Sequence, residues 1–295
     1  MTAEREAIIE EGRTETIKLF LSLAKSNPLY AFGFLFTTIY LGYSLVAGID
    51  PRITGFNPLY TNVNLQLLPP SLRYPFGTDD VGRNLLLEVL YGAPIDAGAS
   101  VAIVLFSFLV GLISGSVAGY FGGWIDEVIM RITDIFLAFP GLVLAVAVAA
   151  ALGPGLFNAI FAIAVVWWPV YTRIARGETL TVKEQQYVTA AKAAGVGKIR
   201  LVLDHVIPNV VVPMIAYATA DFGNVIILFS VLGFLGLGAQ PPHSDLGRIV
   251  YDGLNYIQFA PWYPILPGIT IFVIVLAFAF LGDLVRDFLD PRIRR

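Results

Sequence analysis

Residues 184–209 read EQQYVTAAKAAGVGKIRLVLDHVIPN, and this stretch decides what kind of molecule the chain makes. It is the longest polar, charge-bearing run lying between apolar stretches that are each long enough to cross a bilayer, so it must face water. Helix formers run from Glu184 to Ala194, Gly195-Val196-Gly197 interrupts them, and a second helical run from Lys198 to His205 is expected to stop at Pro208. Small side chains at Ala190, Ala191, Ala193 and Ala194 leave a low-profile helix that fits another protein's groove. The expected form is two short helices set in an L, with Gly195 at the corner.

Composition supports a membrane setting. Of 295 residues, 57% are hydrophobic and 14% charged, and the mean hydropathy is +0.74, which marks an integral membrane protein. A net charge of −3 with grouped Lys and Arg excludes a nucleic-acid footprint. With no Cys and two His there is neither a disulfide framework nor a thiolate metal site, and no metal ligand set is expected.

Charge-free intervals place six crossings at about 29–47, 97–120, 136–152, 158–172, 208–232 and 262–282, making an all-α protein. The uncharged interval from Asp134 to Arg173 is too long for one crossing and is split at Leu152-Gly153-Pro154-Gly155. Residues 1–28 form a lead-in and 29–295 the membrane domain, with one polar loop at 173–207 and loops on the opposite side at 48–96 and 236–261. With both termini and the 173–207 loop on one side, that side holds 15 of the 19 Lys and Arg. The positive-inside rule makes it the cytoplasm of a cell whose plasma membrane the chain crosses several times.

The lead-in mixes acids and bases, lacks the order of a cleaved signal, and is read as a helix that lies on the membrane surface or is solvated. Five prolines between Ile49 and Pro75 make the first outer loop extended, and Val81 to Tyr91 reads as an interfacial helix before the second crossing. Gly111, Gly115 and Gly119 form a small-residue stripe for close helix packing. Glu127 and Asp134 flank Arg131 at helical spacing and are expected to neutralise it. The proline- and aromatic-rich outer segment from Gly236 to Pro267 is either the seat of a binding protein or a lid on the span ends. After Gly282, the amphipathic tail ends in basic residues suited to the cytoplasmic membrane surface.

The 184–209 stretch resembles the cytoplasmic Glu-Ala-Ala loop of ABC importer permeases. Thr189 stands at the Glu position, while Ala190, Ala191, Gly195 and Pro208 match the pattern, and His205 and Ile207 stand at its Ile and Leu positions. The resemblance to the C-type permease of dipeptide and oligopeptide importers runs from Pro75 to Arg292. It rests on PFGTDDVGR at 75–83, AGYFGGWID at 118–126, LAFP at 137–140, HVIPN at 205–209, FLGLG at 234–238 and LDPR at 289–292; Phe229 and Gly233 replace the family's Glu and Ser. What the resemblance implies is a type I ABC importer transmembrane domain, paired as a heterodimer with a second permease. It further implies two cytoplasmic ATPase subunits and an extracellular substrate-binding protein. Tyr187, Ala190, Ala191, Ala194, Gly195, Val196, Gly197 and Lys198 are then the coupling contact. ATP and Mg belong to the ATPase partners, since no phosphate loop occurs here: Lys192 fills the first Gly position and Ile199 follows Lys198.

Asp221 lies thirteen residues inside Pro208, where a carboxylate costs roughly 2.5–3.5 kcal/mol on translocon scales. Two readings stand. It faces an aqueous translocation path and binds a polar substrate, or it is a helix-interface carboxylate bonded to the partner permease or held protonated. The substrate expected is a peptide or similar small polar oligomer, with an oligosaccharide as the alternative. An intramembrane enzyme or a self-contained channel is more remote, because no nucleophile and base pair lies in the spans and a channel has no use for a docking helix.

Overall fold

The computed structural model describes residues 20–289, and apart from one isolated bridge between Thr78 and Asn84 its regular elements are helical. Helix α1, Pro28–Ile49, starts where the Asn27 side chain accepts the Leu29 N–H at 2.9 Å and Pro28 occupies the first turn, which needs no N–H. Its 22 residues extend about 33 Å, enough for one crossing. Most of the expected lead-in lies outside the described residues, as does the basic end of the tail; the part from 20 to 26 is helical.

Helix α2 runs from Leu85 to Phe121 without a break. The separate interfacial helix expected at Val81 to Tyr91 is therefore the start of this one, capped by Asn84, whose side chain accepts from Leu86 and Leu87 N–H. Pro94 and Asp96 look like boundaries in sequence, and tertiary partners absorb both. Pro94 cannot donate to the Leu90 carbonyl; Tyr43 of α1 does so instead at 2.9 Å, and Tyr40 donates to the Ala93 carbonyl at 3.1 Å. Asp96 is fully buried and accepts the Leu246 N–H at 3.4 Å.

The crossing expected over 136–152 is two helices, α3 (Gly123–Leu137) and α4 (Gly141–Leu152), bent by 85° at a break that includes Pro140. Alone, the 12 residues of α4 reach only about 18 Å, short of a bilayer core. Helix α5 (Leu156–Lys183) follows, then α6 (Gln186–Ala193) and α7 (Lys198–Leu201). A π-helical turn at Val202–Val206 leads into α8 (Ile207–Phe234), α9 is Leu246–Leu254, and α10 is Trp262–Leu289. Among the described residues, five helical stretches are long and apolar enough to cross a membrane, and the bent pair makes six if it is one broken span.

Packing explains why the order is stable. Gly111, Gly115 and Gly119 of α2 face α5, where any Cβ would collide: on Gly111 with Tyr171, on Gly115 with the Thr172 carbonyl, on Gly119 with Thr179 Cβ at 2.9 Å. The closeness lets Ser114 and Thr172 share a 2.8 Å hydrogen bond. Helix α10 closes on α1 and α8, with Gly33 against Phe280 and Leu281, and Phe222 stacked on Phe278 at 4.4 Å. The segment after α8 packs onto the ends of the long helices through α9. Leu246 and Ile249 of α9 are buried, and Asp245 caps α9 by accepting the Arg248 N–H at 2.8 Å while also taking the Ala239 N–H at 2.7 Å.

Candidate functional site: the interhelical elbow and the Asp221 cluster

The stretch from α5 to α8 builds an elbow whose corner has a definite physical cause. Helix α6 ends in a Schellman motif: Val196 N–H reaches back to the Ala191 carbonyl at 3.2 Å and Gly195 N–H to Lys192 at 3.1 Å. This needs a left-handed residue, and Gly195 has φ +82°. Gly197 then caps α7. The second helical run does not stop at Pro208 as the sequence suggested. Pro208 falls in the first turn of α8, where its lost N–H is no cost, and the π-helical turn at 202–206 carries the chain through.

The elbow has an anchored face and an open one. Val188, Leu201, Val206 and Val210 are buried together with Tyr171 and Met214, so the L is tied to the helices on either side of it. On the open face Ala190, Ala194, Gly195, Gly197 and Lys198 are exposed, Ala191 and Val196 are half-buried, and Tyr187 is exposed. Ile199 and Leu203 stand 71% and 57% exposed, apolar surface that an isolated water-facing loop has no reason to carry. The structure thus brings together the residues singled out from sequence and adds Ile199, which lies between two basic residues, and Leu203.

Two ion pairs tie α5 to α3 just before the elbow. Arg176 forks onto Asp126, and Arg173 meets Asp134 at 2.6 Å. Asp134 is therefore not the partner of Arg131, which pairs with Glu127 alone at 3.4 Å, because α5 offers a guanidinium at closer range. Lys183 closes the set by donating to the Gly119 carbonyl at 3.0 Å.

Asp221 sits deeper, between α5 and α8, and is 2% exposed. Trp167 Nε1 donates to its Oδ2 at 2.7 Å, Tyr171 Oη to the same oxygen at 3.0 Å, and Asn224 Nδ2 to Oδ1 at 3.1 Å. Hydrogen bonds to a charged group contribute about 1.5–3 kcal/mol each, so three offset the roughly 2.5–3.5 kcal/mol expected for burial. No partner permease is required to satisfy it. Asp221 does not line the cleft of about 510 Å³ formed by Tyr217, Ala220, Gly282 and Arg286 among others. Tyr217, on the lining of that cleft, packs edge-on against Tyr171 at 5.2 Å. Sequence reasoning found the acid but not its donors, of which Tyr171 and Trp167 lie 50 and 54 residues away along the chain and Asn224 three.

Asp245 was missed entirely. It lies against Asp96, and burial pushes its carboxyl above the ordinary range while the Arg248 and Ala239 N–H groups oppose the rise. Gly233 makes room for it: a Cβ there would overlap the Asp245 carboxylate.

Comparison with known proteins agrees with this architecture. Residues 107–295 match the family described as binding-protein-dependent transport system inner membrane component. The dipeptide transport system permease protein DppC of Alkalihalophilus pseudofirmus is 40% identical over 270 residues, covering 92% of this chain and 88% of that one. The probable D,D-dipeptide transport system permease protein DdpC of Escherichia coli K12 is also 40% identical over 270 residues, covering 92% and 90%. Among solved structures, an inward-facing form of the MetNI methionine ABC transporter superposes with a TM-score of 0.58 at 20% identity, over 69% of this chain and 97% of that one. That likeness shows the fold, a type I ABC importer transmembrane domain.

Proposed function

Because this chain belongs to the binding-protein-dependent transport system inner membrane component family, we propose that it is one permease half of an ATP-driven peptide importer, coupled to its ATPases through the 184–209 elbow. The chain is a multi-pass inner-membrane permease. Its relatives carry dipeptides by name, which favours a peptide over an oligosaccharide as the substrate. The distribution of Lys and Arg supports termini and elbow in the cytoplasm.

One observation carries the coupling reading. The elbow presents Ala190, Ala194, Gly195, Ile199 and Leu203 outward while its other face is locked to α5 and α8, so a push on the corner moves two membrane helices as one lever. The partners are a second permease, two ATPase subunits that hold ATP and Mg, and an extracellular binding protein. A role for Asp221 in the path belongs to another conformation, one in which Tyr171 and Trp167 have turned away from it.

The test uses the absence of Cys in the chain. Val196→Cys or Tyr187→Cys, each a single thiol, is expected to cross-link to a Cys placed in the ATPase groove, with a yield that changes with nucleotide. No cross-link in any nucleotide state sinks the coupling assignment. Flux or ATP hydrolysis by the chain purified alone would instead favour a channel or an enzyme.

A further inference from the structure

A cavity of about 480 Å³ lies between the elbow and the end of α2, lined by Tyr120, Lys183, Glu184, Val188, Lys192 and Lys198 among others. It belongs to the anchored side of α6. Lys192 follows the buried Val188 by one turn and shares its face, whereas Ala190 and Ala194 lie on the open one.

The cations at this end of the bundle divide into two sets. Each arginine of α3, α5 and α7 has a carboxylate: Arg131 has Glu127, Arg173 has Asp134, Arg176 has Asp126 and Arg200 has Asp204. The lysines of the cavity have none. Lys183 gives one proton to the Gly119 carbonyl at 3.0 Å and keeps two donors. Lys192 and Lys198 have no hydrogen-bond or ion-pair partner among the described residues, and Glu184, the one carboxylate on the wall, pairs with none of the three. Three ammonium groups against one carboxylate leave an excess of positive charge that the described residues do not neutralise.

Aromatic residues fix the level of this charge relative to the bilayer. Tyr120 is half-buried on the wall, and Phe121 packs edge-on against it at 5.2 Å. Phe121 is 39% exposed and Trp124, three residues on, is 75% exposed. Exposed aromatic rings at the end of a membrane-length helix mark the headgroup layer. The lysines therefore stand where lipid phosphates lie, and a basic pocket between helices at that depth suits an anionic headgroup. Ammonium groups serve a phosphate as rotatable point charges, and the Tyr120 hydroxyl adds a neutral donor on the same wall.

We propose that this cavity binds the phosphate of an anionic phospholipid through Lys183, Lys192 and Lys198. The headgroup then bridges the elbow to the end of α2 and ties it to the membrane surface. This rests on the membrane setting of the chain and not on the import reading.

The full chain in dodecylmaltoside, titrated with dioleoylphosphatidylglycerol or dioleoylphosphatidylcholine and read by native mass spectrometry, tests this without ATP or transport. The native chain is expected to retain phosphatidylglycerol in preference. Lys192→Gln and Lys198→Gln should each weaken that retention about fivefold, the worth of one lysine beside anionic lipid. Lys192→Arg should keep it, and Lys25→Gln, which removes an exposed lysine that is not on the cavity wall, should leave it unchanged. Thermal midpoints confirm that the variants fold. Equal retention of the two lipids, the result expected if these lysines serve an acidic side chain of another protein, overturns the proposal. An equal loss in Lys25→Gln also overturns it, as does displacement by inorganic phosphate, which would make the ligand a soluble anion.

Discussion

Arg176 on α5 holds Asp126 on α3 through two parallel hydrogen bonds of 2.6 Å, Nε to Oδ1 and a terminal nitrogen to Oδ2. The fork ties the first half of the bent pair to the helix that enters the elbow, at a side-chain exposure of 31% and 20%. Motion of the elbow must therefore carry α3 along or break this pair.

Arg176→Lys tests the fork, since an ammonium keeps the charge but loses the two-pronged geometry. The expected cost is about 1 kcal/mol in thermal stability in detergent. Uptake in the assembled importer should fall while ATPase association is unchanged. An unchanged melting midpoint and unchanged uptake would show that the fork is incidental.

The glycine stripe allows a controlled comparison within α2. Gly115→Ala puts a methyl group into the Thr172 carbonyl, whereas Gly98→Ala meets nothing within 4 Å. Gly98→Ala should be neutral or stabilising by roughly 0.5–1 kcal/mol. Gly115→Ala should destabilise by about 1–3 kcal/mol, as overpacking does. Size-exclusion melts of the two variants check this, and equal midpoints would refute the close approach of α2 and α5.

Asp221→Ala leaves Trp167 Nε1, Tyr171 Oη and Asn224 Nδ2 without their acceptor. A loss of about 3 kcal/mol or more is expected, because each buried orphan costs roughly 1–3 kcal/mol. Trp167 fluorescence should shift in the same variant. Asp221→Ala with native stability would mean that the cluster is not the clasp between α5 and α8 described above.

Tyr43 and Pro94 form a double-mutant cycle. Tyr43→Phe orphans the Leu90 carbonyl and should cost about 1 kcal/mol. On a Pro94→Ala background the new N–H takes that carbonyl, and the same substitution should be nearly silent. Equal effects on both backgrounds would rule out the compensation.

Where sequence reasoning succeeded, the signal was local. The left-handed corner at Gly195 followed from a glycine after a run of helix formers, and the crossings at both ends of the chain followed from apolar length. It failed where a long-range partner cancelled a local rule. Asp96 read as the edge of the second crossing, yet the helix runs through it and through Pro94, with Tyr43, Tyr40 and the Leu246 N–H as partners. Pro208 read as a stop and is instead a first-turn residue, since a π-helical turn precedes it. The 85° bend at 138–140 was invisible because the interval from Asp134 to Arg173 is apolar on both sides of it.

By itself the sequence determined that this is a helical membrane protein with a two-helix elbow, because apolar length, charge placement and a glycine break act within a few residues of one another. Only the tertiary structure decided that Asp221 is closed off by Trp167, Tyr171 and Asn224 and that Asp80 is held by the Tyr256 and Tyr263 hydroxyls. Whether a carboxylate is satisfied depends in part on donors as far as 50 and 183 residues away, and no periodicity in the chain encodes that meeting.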